Sequence, residues 1–296
     1  MSNISSALVT GANGLLGRQL AKHLSDYGIQ VYGLVHQEPE EKIEGVEYLV
    51  VDLDSNWSTD SLPIKVDTIV HLAQSAHFRE FPEKAMSVFQ VNISSTARLL
   101  DYGRKVGIKS FVFASSGGVY GFGNQAFHEN SALTSPGQLG YYLGSKLAGE
   151  VLVQSYAGVF VVNVLRFFFI YGPHQKKGML MPRLMDSILH HRPISLQGQE
   201  GIRINPIHVE DASLATYAAI LRTDSAVYNI SGPEILSLKT VAHQMGDYLG
   251  IEPEFTFVDG EAKDLIGDNS AMKSYLHIPT RKLNDHLEEV KKIVTT

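Results

Sequence analysis

The 296-residue chain has no cysteine. Disulfides, thiolate nucleophiles and cysteine-ligated metals are therefore excluded. Positive charge is in short supply too: 25 Lys and Arg stand against 31 Asp and Glu, a formal net charge of −6. No basic surface for nucleic acid or for an anionic membrane is expected from that balance, so neither is expected as a partner. Long apolar runs are also absent. The most apolar stretch, residues 159–170, is too short to cross a bilayer and is interrupted by Asn163 and Arg166. No basic, apolar leader precedes the first strand-like segment, which makes a soluble, cytoplasmic protein the expectation. Twelve histidines invite a metal reading, but no HxxxH or His-plus-carboxylate spacing repeats among them, and no metal is expected. His190 and His191 read as surface residues at a helix end, and His208 as a packing or turn-stabilising residue.

What is present is an apolar content of 44%, ample for a core, in a length that fits one large or two modest domains. Near the start the chain reads Ala7-Leu8-Val9-Thr10-Gly11-Ala12-Asn13-Gly14-Leu15-Leu16-Gly17, an apolar strand running into three glycines. A turn that tight needs backbone without a Cβ, and amide N–H groups at a helix start attract a pyrophosphate. Residues 18–27 then show helical spacing, with Leu20, Ala21 and Leu24 inward, and a second strand follows at 30–35. Strand, glycine turn, helix, strand is the context in which such glycines bind a dinucleotide, although their spacing is GxxGxxG. Further candidate strands are 46–51, 67–72, 109–114 and 159–167, with helices at 14–27, 83–105 and 140–157. Continuous apolar strands alternating with helices predict an α/β fold, a doubly wound parallel sheet of Rossmann type. After Tyr171-Gly172-Pro173 the rhythm breaks into a smaller, more irregular lobe, with 233–249 helical.

Tyr142 and Lys146 lie one helical turn apart. A phenol is a poor base at neutral pH, and a nearby ammonium lowers its pKa by favouring phenolate. Such a pair can take the proton of a sugar hydroxyl while hydride leaves the same carbon. The strand ending at Ala114 runs into Ser115-Ser116-Gly117-Gly118-Val119-Tyr120-Gly121. A hydroxyl at the carboxyl end of such a strand can bind the oxygen that loses its proton.

These pieces resemble an extended short-chain dehydrogenase/reductase of the NAD-dependent nucleotide-sugar epimerase/dehydratase group. The resemblance rests on TGANGLLG (10–17), VDL (51–53), HLA (71–73), VNISST (91–96), SSGGVYG (115–121), YLGSK (142–146), LRFFFIYGP (165–173), NPIHVEDAS (205–213) and YNISG (228–232), in the family's order and thinning out after about residue 235. It implies that Gly11, Gly14, Leu15, Leu16 and Gly17 hold the pyrophosphate of NAD or NADP. It places Asp52 and Leu53 at the adenine edge and lines the path to the nicotinamide with Leu72, Ala73 and Gln74, supported by Asn92. Ser116 matches the catalytic hydroxyl residue, with Ser115 as the fallback. Tyr142 is the acid/base, Lys146 holds the nicotinamide ribose and tunes the tyrosine, and Phe168 approaches the nicotinamide. Residues 1–171 plus about 207–232 would bind the dinucleotide. About 172–206 and 233–296 would form an α+β substrate lobe, and a homodimer is implied.

Three departures from the family pattern matter. His36 ends the second strand where NAD-preferring relatives carry aspartate, and Glu38, Glu40 and Glu41 follow. Gly117-Gly118 stand where dehydratases carry Asp-Glu, so dehydration is not expected. Phe169 replaces an asparagine that touches the sugar nucleotide, and Arg203, a candidate for gripping the substrate diphosphate, is one residue out of register. The expected reaction is epimerisation of a nucleotide-diphosphate sugar, at C4, by transient oxidation. A 4-keto-sugar reductase using reduced cofactor would employ the same residues once. A cofactor-binding regulator without catalysis is a third reading, at odds with the presence of Ser116, Tyr142 and Lys146 together.

Overall fold

The apolar runs of the first half pair with one another, and with one strand of the second half, into one seven-stranded, all-parallel sheet. The structure, a computed structural model, describes residues 4–295. In chain order the first half comprises β1 (Ser6–Thr10), α1 (Leu15–Asp26), β2 (Gln30–Val35), β3 (Val46–Val50), β4 (Thr68–His71), α2 (Ala85–Phe89), α3 (Ser95–Val106), β5 (Ser110–Ser116), α4 (Pro136–Gln154) and β6 (Val161–Phe167). There follow β7 (Ile170–Tyr171), α5 (Leu180–Leu189), β8 (Ile194–Gln197), β9 (Arg203–Ile204), β10 (Ile207–His208), α6 (Val209–Ile220), β11 (Ala226–Ile230), β12 (Leu236–Ser237), α7 (Leu238–Leu249), β13 (Phe255–Val258), α8 (Ser270–Tyr275) and α9 (Leu287–Thr295).

The sheet order is β3-β2-β1-β4-β5-β6-β11. Its direction of growth reverses between β1 and β4, and ligands in such sheets bind at the carboxyl ends beside that switch. The strands are apolar on both faces because each face is covered. Leu16, Leu20, Leu24, Ala212 and Ala219 of α1 and α6 pack on one side, and Leu99, Leu100, Val153 and Trp57 on the other. A further core of Tyr171, Met185, Leu196, Val241, Met245, Leu287 and Val290 gathers α5, α7 and α9 beside the paired strands β8 and β13. Asp211, fully buried on α6, ties the C-terminal segment down by accepting from the Thr280 and Arg281 amides and from the Arg281 guanidinium, with His277 3.0 Å away.

Three element boundaries differ from the sequence expectation, each for a local reason. β5 runs to Ser116 rather than 114, because Ser115 and Ser116 continue the register against Arg166 and Phe167. The helix expected over 83–105 is interrupted by one π-helical turn, Gln90–Ser94, that turns Asn92 into the protein. The helix expected from 140 begins at Pro136 but is broken at Gly140 (φ 66°), so the segment carrying Tyr142 is a fresh helical start. In the second half, β12 occupies the start of the segment expected to be helical from 233.

Candidate active site

The glycine turn after β1 is built by backbone constraint. Gly11 has φ +67° and donates its N–H to the Leu34 carbonyl at 2.8 Å, locking the end of β1 to β2. A Cβ on Gly17 would stand 2.0 Å from the Gly11 oxygen, so the helix can press on the turn only as glycine. Gly14 is the N-cap of α1, with no side-chain cap and no acidic residue in the first turn. The first amides of α1 are thus left for an anion, as a dinucleotide pyrophosphate requires. Leu15 is half-buried and Leu16 buried beside this turn. At the far end His36 is exposed just beyond β2, its Nδ1 3.2 Å from Asp52 Oδ1. Leu53 is buried against the core that holds Trp57.

The wall after β4 is set by a chain of hydrogen bonds whose protons are all accounted for. Leu72 and Ala73 amides both donate to Thr10 Oγ1 at 3.1 Å. The Thr10 hydroxyl in turn faces His71 Nδ1 at 2.7 Å, and His71 Nε2 faces Thr96 Oγ1 at 3.0 Å. Since the Thr96 hydroxyl donates to the Asn92 carbonyl, the imidazole carries its proton on Nε2. Burial pushes the His71 pKa down to about 3, with the Lys146 charge adding to it, so the ring is neutral. Asn92 accepts from the Ser75 amide and donates to Ser145 Oγ, joining the β4 loop to α4. His71 was not among the expected site residues, although it begins the HLA segment.

The chemistry-bearing groups meet where β5 ends against the first turn of α4. A Cβ on Gly118 would lie 2.8 Å from Leu143 and 3.3 Å from Ser116 Oγ, so strand end and helix face each other across one glycine. Ser115 is committed: its hydroxyl donates to the buried Glu150. Ser116 is half-buried and its Oγ accepts from the Gly118 amide at 3.1 Å, which leaves its own proton to donate. Of the two serines, Ser116 is the one available to a substrate.

Tyr142 and Lys146 do not form the close pair expected from their spacing. The Tyr142 hydroxyl donates to Gln74 Oε1 at 2.9 Å, while Lys146 runs inward and donates to the Ala114 carbonyl at 2.9 Å. Burial pushes the phenol up to about 12, and the charge that opposes this is that of Arg79. Burial brings Lys146 down to about 8, opposed by Glu150. Glu150, one further turn along α4, is gripped by Arg166 through Nε and Nη2 at 3.0 and 2.7 Å. Arg166 also donates to the Tyr120 hydroxyl, which donates to Asn229. This buried network was missed, and the signal for it was available: an arginine inside an apolar strand and a glutamate on the inward face of α4 must find each other.

Comparison with known proteins agrees with this construction. The family model described as "NAD dependent epimerase/dehydratase family" matches residues 7–231. The chain belongs to that family. A relative, Uncharacterized UDP-glucose epimerase YtcB of Bacillus subtilis (strain 168), is 29% identical and aligns over 95% of each chain. The dTDP-D-glucose 4,6-dehydratase of Mus musculus is 26% identical over 80% of this chain and 71% of its own. Among solved structures, the UDP-glucuronic acid 4-epimerase from Bacillus cereus, in complex with UDP-glucuronic acid and NAD, superposes with a TM-score of 0.86 at 25% identity, covering 98% of this chain and 99% of that one.

Three of the expected residues are engaged by other parts of the protein. The Phe168 side chain is 1% exposed, packed with Val119, Tyr120, Leu139 and Leu265. Gly117 and Gly267 lie against its ring, where a Cβ on either would come within 2.6 Å. Phe169 has φ 48°, the left-handed region that asparagine tolerates and aromatic residues seldom enter. Its carbonyl accepts from the Ile207 amide, so its visible task is joining β7 to β10. Arg203 is half-exposed beside a 400 Å³ groove, but Asp264 holds its Nε and Nη2 at 2.8 and 2.6 Å. Its charge is thereby matched. His208 caps α6 through Nδ1, which leaves the proton on Nε2, facing Glu289 at 2.9 Å; His286 Nδ1 lies 3.0 Å from the same carboxylate. That arrangement is a hydrogen-bonded clasp on α9, because a metal-binding Nε2 could not carry that proton.

Proposed function

We propose that the protein epimerises a uridine-diphosphate hexose or hexuronate at C4 by reversible oxidation. The observation that carries this reading is a Ser116 hydroxyl with its proton free at the end of β5, meeting across Gly118 the first turn of the helix segment that carries Tyr142, with no ionisable group on Gly117-Gly118. Ser116 donates to the C4 oxygen, and Tyr142 exchanges the proton of that same oxygen. Burial outweighs the Arg79 charge, so Tyr142 is protonated at neutral pH. It serves as a base once Lys146 moves closer. The glycine cradle, Leu72 and Ala73 would hold the dinucleotide, whose nicotinamide supplies reversible hydride acceptance at C4. Lys146 is the residue for its ribose. At the adenosine end Arg18 is held by Glu41 and Lys42 by Glu38, while Asp52 stands beside His36. A 2′-phosphate finds acidic groups there and no unengaged cation among these, which favours NAD over NADP.

Dehydration is disfavoured for a packing reason. Gly117 and Gly118 cannot become an acid–base pair, because a side chain on Gly117 would enter the Phe168 ring. We assign residues 1–171 and about 207–232 to dinucleotide binding and the remainder to the sugar nucleotide. A homodimer through the α2–α4 surface, where Phe81, Met86 and Val151 are exposed, and a cytoplasmic location complete the reading. Among the described residues no helix is long and apolar enough to cross a membrane.

The test is direct. Purified protein with NAD is offered UDP-glucose and UDP-glucuronate separately, and the products are followed by proton NMR. Appearance of the C4 epimer without net reduced cofactor is expected. A 4-keto-6-deoxy methyl signal would mean dehydration, and stoichiometric oxidation of NADH with a 4-keto-sugar, without epimer, would mean reduction; either sinks the proposal.

A further inference from the structure

The arginine that the sequence nominated for the substrate's negative charge is already matched by a carboxylate, whereas another arginine beside the reacting tyrosine is not. Arg79 sits on the exposed loop between β4 and α2. Its guanidinium carbon stands 4.9 Å over the Phe78 ring, and that ring lies 5.0 Å from the ring of Tyr142. Arg79 Nη1 donates to the Gly178 carbonyl at 3.3 Å, and Nη2 reaches Met179 Sδ at 3.9 Å. Both acceptors are neutral and both contacts are long. Among the described residues no carboxylate forms an ion pair with Arg79, nor with Arg98 or Arg183, while Arg18, Arg104, Arg166, Arg192, Arg203, Arg222 and Arg281 each have one; of the three, Arg79 is the one beside Tyr142.

The neighbouring carboxylate, Glu80, is engaged by His77, whose Nδ1 lies 2.8 Å from its Oε1. The Gly178 that receives Arg79 ends the segment carrying Lys176 and Lys177, both exposed. Ser116-Gly117-Gly118 at the end of β5 carries no charged side chain. A guanidinium held by a ring face and a carbonyl is oriented in advance, with donors left over, which is how a fork for carboxylate or phosphate oxygens is prepared. Ring stacking leaves the plane of the group, where its donors lie, open to a ligand.

We infer that Arg79 anchors the substrate by its negative charge, receiving acidic oxygens of the sugar nucleotide over Tyr142. The inference deepens the proposed C4 epimerisation and rests on it. Two groups of such a substrate carry that chemistry, the diphosphate and, in a hexuronate, the C5 carboxylate. Arg79 is a binding and specificity residue in this assignment. Tyr142, Ser116 and Lys146 keep the proton chemistry.

The experiment uses the full chain with NAD and measures the dissociation constant of UDP-glucuronate and of UDP-glucose by calorimetry, alongside KM and kcat. Three proteins are compared: the parent, Arg79→Met and Arg79→Lys. Arg79→Met keeps bulk and loses charge, so affinity for UDP-glucuronate should fall at least roughly tenfold, on the scale of a lost charge-assisted hydrogen bond. Arg79→Lys keeps the charge but loses the fork and the contacts to Gly178 and Met179, so its affinity should lie between those of the parent and Arg79→Met. A loss confined to UDP-glucuronate assigns the sugar carboxylate, and an equal loss for both ligands assigns the diphosphate. Unchanged affinity in Arg79→Met overturns the inference. Equal damage from Lys and Met also overturns it, since that is what a purely mechanical latch between the two loops would show. A parent protein that binds these ligands but epimerises neither would refute the proposed reaction while leaving the binding result readable.

Discussion

Replacing Gly117 by alanine should damage this protein far more than a single methyl group ordinarily does. The added Cβ would stand 2.5, 2.5 and 2.6 Å from three ring carbons of Phe168. Carbon atoms rest at about 3.5–4.0 Å, so the overlap is about 1 Å against three atoms at once. The ring has no retreat. It is 1% exposed, and an added Cβ at Gly267 would also come within 2.6 to 2.8 Å of it. Overpacking of a well-filled core costs roughly 1–3 kcal/mol, and a ring hemmed in by two glycine backbones belongs at the upper end. At roughly 2 °C or more per kcal/mol for a domain of this size, the midpoint of thermal unfolding should fall by about 6 °C.

A double-mutant cycle isolates the cause. Phe168→Leu alone leaves a void and destabilises, but in the Gly117→Ala background the smaller side chain makes room for the new methyl group. The two changes should therefore be coupled by about 1–3 kcal/mol, the double variant being more stable than the sum of the singles. Unfolding of all four proteins is followed by heat and by denaturant with NAD absent, so that cofactor binding does not contribute. A Gly117→Ala protein as stable as the parent, or strictly additive effects, would refute the packing argument. The argument against dehydration would fall with it, since an acidic residue at 117 could then be accommodated.

Three other outcomes are expected. Tyr142→Phe should lower turnover by about 10²–10⁴-fold, the usual scale of general acid–base catalysis, while calorimetry shows NAD binding intact. Gly14→Val should leave the fold in place, because Gly14 has φ −78° and an added Cβ would meet only the Gly11 oxygen at 3.1 Å; NAD affinity should drop at least roughly tenfold as the branch obstructs the pyrophosphate. Burial pushes the Asp211 pKa up, but its bonds to His277, Arg281 and the Thr280 and Arg281 amides outweigh that and hold it at about 2. Its folded value lies below the ordinary 3.8, so its stabilisation is present above pH 4 and is lost as pH falls from about 4 towards 2. Denaturation series over that range should show Asp211→Asn losing about 2 kcal/mol less on acidification than the parent.

What could be read from the residues divides along a physical line. The glycine turn after β1 was legible because Gly11 and Gly17 answer to constraints of the backbone within one turn, and such constraints leave a local mark. The parallel sheet was legible because strands covered on both faces must be apolar throughout. The aim of a long side chain was not legible. Tyr142 and Lys146 share a helix face, yet they part because the ammonium finds the Ala114 carbonyl on β5 and the phenol finds Gln74 beyond β4. Both partners are brought in by the sheet order, which no spacing along the helix encodes. Arg203 likewise looked free until Asp264, supplied by the segment before α8, took hold of it. Phe168 belongs to the same class, since whether its ring faces a cleft or a core depends on Gly117 and Gly267, which precede and follow it in different elements. A position in a motif states which residue type a site uses. The partner that decides its charge or burial is set by tertiary contact, and for this protein that contact matches the charge of Arg203 and, among the described residues, leaves that of Arg79 without a carboxylate.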